Sequence, residues 1–140
     1  MEGAPGYAEN DVVEAVARHL EAQGWQITDT SYTDQRGHDI LARRDGTVLA
    51  VEAKGGTTSK PTPRHGLPFS SSQKHDHVAK ALYTAARVFS AGDYQAAIAL
   101  PSDDRHSQLV EDILPALDAL NVVLFLVDED RAVQEALISD

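Results

Sequence analysis

From Gly37 to Gly55 the chain reads Gly-His-Asp-Ile-Leu-Ala-Arg-Arg-Asp-Gly-Thr-Val-Leu-Ala-Val-Glu-Ala-Lys-Gly, two apolar-alternating runs flanking Asp45-Gly46. Both residues of that dipeptide tolerate a positive φ, which a two-residue hairpin turn requires. The centre of the chain is thereby committed to an antiparallel hairpin. A period of two then assigns the sides. Leu49, Val51 and Ala53 point one way, and Ala50, Glu52 and Lys54 the other. A carboxylate and an ammonium sit side by side at one end of a strand, and Asp39 lies towards the same end. Two acids and a lysine converging on one sheet edge suit a divalent cation next to an activated water. The plain alternative is a cross-strand salt bridge on a polar sheet face, which is worth little. Helices should bury that face, however, and burying two acids with one lysine is costly without a cation.

The elements around the hairpin follow from periodicity. Residues 1–8 read as a lead-in. From Glu9 to Ala22, Val13, Val16, Ala17 and Leu20 recur at helical spacing, and Gly24 ends the segment. At 100° per residue Glu9 falls on that apolar face, whereas Glu14 lies on its flank. An acid there is either partnered or simply favoured by the helix dipole. Trp25 to Thr33 reads as a strand with Trp25 and Ile27 inward. Asp34-Gln35-Arg36-Gly37 turns the chain, Arg36 being either a phosphate contact or a solvated turn residue. His38 should face away from Asp39, as a packing or surface residue.

Residues 55–69 hold three glycines and three prolines, a long loop for so short a chain. It is either a lid or nucleic-acid-contacting arm carrying Lys60 and Arg64, or a surface excursion. Ser70–Ser72 can cap a helix from Ser71 to Ser90, with Val78, Ala81, Leu82, Ala85 and Val88 or Phe89 as its stripe. Gln73 and His77 share a face, with Lys74 and Lys80 nearby. His75 and His77 are two apart on a helix and cannot jointly grip one metal. Tyr94–Leu100 and Val122–Val127 are continuous apolar strands buried on both faces. Between them a helix runs from His106 to Leu120, bent or split at Pro115. Asp128 leads into a short terminal helix ending near Leu137. The order is α-β-β-β-α-β-α-β-α, which gives α/β, three-layer α-β-α architecture with one central mixed sheet.

At 140 residues the chain suits a single domain, residues 1–140. It has no cysteine, which excludes disulfides, thiolate metal sites and cysteine nucleophiles. No run has membrane-span length, the N-terminus lacks signal-peptide regions, and a cytoplasmic home is expected. No G-x-S-x-G elbow supports a serine hydrolase. A net charge of −10 opposes simple nucleic-acid binding. The charge is unevenly spread, however. Residues 1–53 carry 4 Lys/Arg against 10 acids and residues 88–140 carry 2 against 11, but residues 54–87 carry 6 against 1. A basic block beginning at the acid–lysine site can hold a phosphate backbone, or it is a solvated face.

Asp39, the short hairpin and Glu52-Ala53-Lys54 as an E-x-K element resemble the PD-(D/E)XK nuclease superfamily, with His38 standing where the family usually has proline. The resemblance covers about residues 9–100, and the family core, α-β-β-β-α-β, agrees with the order above; here C-terminal β-α additions would follow it. It implies the restriction endonuclease-like fold and metal-dependent phosphodiester hydrolysis, DNA endonuclease activity foremost. Asp39, Glu52 and the Ala53 carbonyl would hold Mg²⁺ or Mn²⁺, and Lys54 would orient and help deprotonate the attacking water or stabilise developing charge. Glu9, with Glu14 as alternative, would be the first-helix glutamate, and Gln73 the early second-helix glutamine, unless it is only a polar first-turn residue. The basic stretch, with Lys60, Arg64, Lys74, His77 and Lys80, would track nucleic acid. An RNA-directed nuclease, or a noncatalytic nucleic-acid-binding or regulatory protein retaining the fold, are the competing expectations. A homodimer, or a larger partner supplying the DNA grip, fits so small and acidic a domain.

Overall fold

A computed structural model describes residues 8–30, 38–56 and 69–136. Helix α1 (Glu9–Ala22) buries Val12, Val13, Val16 and Leu20 and opens with Glu9 and Asp11, acids that suit the positive end of its dipole. Asp11 also accepts a hydrogen bond from the Ala8 N–H at 3.0 Å. Strand β1 (Gln26–Thr30) follows, with Trp25 and Ile27 packed inward as expected. Strands β2 (Ile40–Arg44) and β3 (Thr47–Ala53) form the hairpin. Asp45 at φ 51° and Gly46 at φ 82° supply the two left-handed residues of its turn.

Beyond the hairpin come α2 (Ser71–Ala91), β4 (Gln95–Pro101), α3 (Asp104–Ala119), β5 (Val123–Val127) and β6 (Val133–Ala136). The six strands lie in sequence order in one sheet. The pairs β1–β2, β2–β3 and β5–β6 are antiparallel, and β3–β4 and β4–β5 are parallel. Each parallel pair is bridged by a helix, because two strands running the same way cannot be joined by a tight turn.

Two cores lie on opposite sides of the sheet. Leu49, Val51, Ala53, Ala97, Ala99, Phe125 and Val127 pack with α1 on one face. Ala50, Ile98, Leu100 and Leu124 pack with α2 and α3 on the other. The inner strands are apolar on both sides because both sides are covered. This is the three-layer α-β-α arrangement of the restriction endonuclease-like fold. Helix α3 continues unbroken through Pro115, which lies on its exposed side, so of the expected bend or split the split does not occur.

The C-terminal expectation is corrected. No helix follows Asp128 among the described residues; the acidic run closes a tight turn into β6. The Arg131 N–H donates to the Asp128 carbonyl at 2.8 Å, and Arg131 takes φ 72°. The Asp130 carboxylate accepts from the Ala132 N–H at 3.1 Å. Asp130, which looked like part of a helix start, bonds its own backbone instead, a familiar competition for Asp. The open edge of β5 then takes up Val133–Ala136, and His19 of α1 reaches Glu135 at 3.1 Å. No helix among the described residues is long and apolar enough to cross a membrane.

Candidate functional site

The hairpin register pairs Ile40 with Val51, so Asp39, in the bend before β2, lies across from Glu52. Ala53 extends two residues past that last pair, where its N–H would have no strand partner. The Asp39 carboxylate supplies one, Oδ2 accepting from Ala53 N at 2.8 Å. On the other side the Lys54 N–H donates to the Ala99 carbonyl at 3.0 Å, tying the exit of β3 to β4. Glu52 and Lys54, two apart on one side of the strand, meet at 3.3 Å between Oε2 and Nζ, both largely buried. Asp39 is only 9 % exposed.

Glu9 joins this group from α1. Its approach depends on Gly55, where an added Cβ would run into the Ala8 and Glu9 backbone. The missing side chain lets the helix start rest on the strand exit. Burial pushes the Glu9 carboxyl above its ordinary range, Lys54 pulls it down and Glu52 pushes it up. Glu14 is exposed. Of the two candidate acids on the first helix, Glu9 is the one at the site.

Asp39 is pushed up to about 7, first by burial. The Ala53 N–H works against that rise, Glu52 and Glu9 add to it, and Lys54 opposes it. Three acids therefore share a space with Lys54, the one cation among the described residues that draws their pKa values down. Such a group is short of positive charge. Among the described residues no three His, Asp or Glu side chains form a ready-made metal cage. The donor set that fits is accordingly sparse: Asp39, Glu52 and the nearby main chain, with water and substrate oxygens completing it. That is how Mg²⁺ is commonly held, on one or two carboxylates plus phosphate, whereas Ca²⁺ asks for more protein oxygens.

Other candidate residues have specific settings. Gln73 closes a capping box, its Oε1 accepting from Ser70 N at 2.7 Å while Ser70 Oγ accepts from Gln73 N at 3.1 Å. Its amide nitrogen remains for other work. Lys74 lies 3.4 Å from Asp103. His77 is turned partly inward, with Phe69 edge-on at 4.5 Å between ring centroids. Lys80 is exposed. Lys60 and Arg64 lie outside the described residues. His75 pairs with Asp76 at the surface, 3.6 Å apart.

A cleft of about 510 Å³ opens beside Glu52, lined also by His38, Thr84, Arg87, Asp93 and Tyr94. His38 thus lies on the α2 side with Glu52, its ring 5.9 Å from that of Tyr94. Strict alternation fails because His38 and Asp39 precede the strand, Asp39 in a bend.

Sequence reasoning missed Asp103 and His106. Asp103 caps α3, accepting from the His106 N–H at 2.9 Å, and its second oxygen meets His106 Nδ1 at 2.7 Å. The Asp-x-x-His spacing at a helix start was the available signal.

No family model matches the chain. It is 36% identical over 63 residues to a UPF0102 protein of Myxococcus xanthus (strain DK1622), a match covering 44% of this chain and 50% of that protein. The kinship spans about half of the relative. It leaves the chemistry to the site itself.

Proposed function

We propose that the chain is a metal-dependent nuclease of the PD-(D/E)XK type, a DNA endonuclease before an RNA one. The observation that carries this reading is the convergence of Asp39, Glu52, Lys54 and Glu9 at the exit of β3, with more negative than positive charge. A salt-bridged structural cluster has no need of the extra acids.

In this reading Asp39, Glu52 and the Ala53 carbonyl would hold Mg²⁺ or Mn²⁺. The cation, when bound, polarises the scissile phosphate and favours hydroxide over water nearby. The protein's own groups do the rest. Lys54 would orient the attacking water and offset the charge developing on the phosphate. Glu9 accepts a hydrogen bond from the same water or from a neighbour. The free amide nitrogen of Gln73 donates to water or phosphate. Arg87 and Tyr94 in the cleft beside Glu52 give one strand of nucleic acid a cation for phosphate and a ring for a base. Lys80 adds charge on the same helix, and a homodimer or larger partner would extend the grip.

The test is cleavage of single-stranded, duplex and branched DNA, and of RNA, with Mg²⁺ or Mn²⁺, alongside Asp39→Ala and Lys54→Ala. Metal-dependent cutting lost in both variants is the expected result. Nucleic-acid binding with no cutting and no response to either metal would identify the noncatalytic protein instead.

A further inference from the structure

The large apolar side chains that stand exposed among the described residues are all aromatic: Tyr83, Phe89 and Tyr94. They occupy the second half of α2 and its exit. Gly92, at φ 81°, ends the helix and turns the chain towards β4. Asp93 and Tyr94 come next, and Gln95 then pairs with Leu49 of β3. Tyr94 lies just ahead of β4 and His38 just ahead of β2, and their rings meet at 5.9 Å with 75° between the planes. Both rings line the cleft of about 510 Å³ beside Glu52. Tyr94 still exposes 39 % of its surface.

The polar groups of this cleft are not used up by the fold. Arg87 and Asp93 line it, and neither makes a hydrogen bond or an ion pair among the described residues. A guanidinium with no carboxylate on it is open to an anion, phosphate above all. A carboxylate only accepts, so Asp93 suits a group bearing N–H donors and repels a phosphate. The rings of Tyr94 and His38 suit a flat, weakly polar body. A nucleotide brings all three: an anion, a flat ring and N–H donors on the ring's edge. The volume lies within the range of roughly 300–1,000 Å³ that small-molecule sites have. A base inside a duplex cannot use such a place, because its faces are stacked and its pairing edge is taken. Only an unpaired base has a face and an edge to give.

The outer side of α2 continues the same chemistry. At 100° per residue Lys80, Tyr83 and Arg87 fall within about 60° of one another. All three are exposed, Tyr83 by 68 %. Cations alone would serve the backbone of a duplex. A ring between two cations also stacks a base, and it does so for any sequence because every base has a π face. Arg87 belongs both to this stripe and to the cleft, so one strand can follow both.

We propose that the cleft seats one unpaired nucleotide, its base against Tyr94 and its phosphate on Arg87, and that the strand continues over Tyr83 and Lys80. Glu52 lines the cleft and also belongs to the acid–lysine group, so the seated nucleotide adjoins the scissile phosphate. The substrate is accordingly a single or splayed DNA strand, not a continuous duplex. That choice of substrate rests on the nuclease reading; the strand site does not.

The experiment measures binding of the full chain to single-stranded DNA and to duplex of the same length, in low salt with EDTA so that nothing is cut. The single strand should bind about tenfold tighter or more. Tyr94→Ala should weaken it about 5- to 100-fold, Tyr94→Phe should stay within about twofold of wild type, and Tyr83→Ala, at a ring standing in solvent, should cost about 5-fold. A strand carrying 5-iodouracil should photocrosslink to wild-type protein at Tyr94. Equal binding of strand and duplex, binding indifferent to both alanine variants, or a crosslink that avoids Tyr94 overturns the strand site. With Mg²⁺ added, cutting confined to the unpaired arms of a splayed substrate is expected. Continuous duplex cut as fast as those arms would overturn the proposed substrate and leave the nuclease reading standing. Tyr94-dependent strand binding in a protein that cuts nothing would support the strand site and remove only the nuclease reading.

Discussion

Asp39 and Asp103 occupy similar positions and are treated oppositely. Each precedes a regular element at the same end of the sheet, and each accepts a backbone N–H, at 2.8 Å from Ala53 and 2.9 Å from His106. Yet Asp39 is pushed up to about 7 while Asp103 is held at about 2. The contrast is one of neighbours. Asp103 has a ring N–H, a backbone N–H and the Lys74 ammonium, so its charge is answered within the fold. Asp39 has one N–H, two acids nearby and a lysine that Glu52 already engages. One aspartate belongs to a finished network. The other belongs to a group of acids that, in the proposed reading, a cation would complete.

The most damaging change should be on the unfinished side. Asp39→Ala is expected to lower metal-dependent cleavage about 10²–10³-fold or more, measured as kcat with saturating Mg²⁺. On the finished side the loss is in stability instead. Asp103→Ala removes a helix cap and strands a buried ring nitrogen, which should cost about 2–4 kcal/mol in denaturant unfolding. Gly55→Ala stands between the two. The new Cβ collides with the α1 start, so about 1–3 kcal/mol of stability and most of the cleavage should go together.

A gentler pair of substitutions reverses the sign. The Asp39 pKa is raised above its ordinary 3.8, so its native form favours the proton. Its contribution is most favourable below about pH 4 and declines as pH rises to about 7. Asp39→Asn should therefore stabilise the apo-protein on the order of 2 kcal/mol at pH 8, and by little at pH 4. Asp103 is lowered from 3.8, so its contribution is present above about pH 4 and is lost as pH falls towards 2. Asp103→Asn, which keeps a capping side chain, should destabilise at pH 7 and converge on wild type near pH 2. Melting curves across pH 2–8 read both. The smallest effect is at the rim: Lys80→Ala or Arg87→Ala should weaken DNA binding a few-fold and reduce the salt slope by about 1.

The sequence disclosed the first aspartate better than the second, for physical reasons. Asp45-Gly46 fixed a turn, the turn fixed a register, and a period of two then set Glu52 beside Lys54 and across from Asp39. Every step is local. The apolar stripe of α1 likewise singled out Glu9, and the close approach at Gly55 separates it from exposed Glu14. The contact of Lys74 with Asp103 joins residues nearly thirty apart on two helices, and no local pattern encodes it. The C-terminal segment misled because Val133 to Leu137 reads equally well as a helix turn or an edge strand; the open edge of β5 and the turn at Asp128–Arg131 decided it. The basic arm with Lys60 and Arg64 lies outside the described residues.

The most direct measurement is a carbon NMR titration of the Asp39 and Asp103 carboxyl groups with and without Mg²⁺. The account predicts Asp39 near 7 in the apo-protein, falling to the ordinary carboxylate range or below when Mg²⁺ is added, with Asp103 staying near 2. An Asp39 that titrates normally and ignores Mg²⁺ would contradict it.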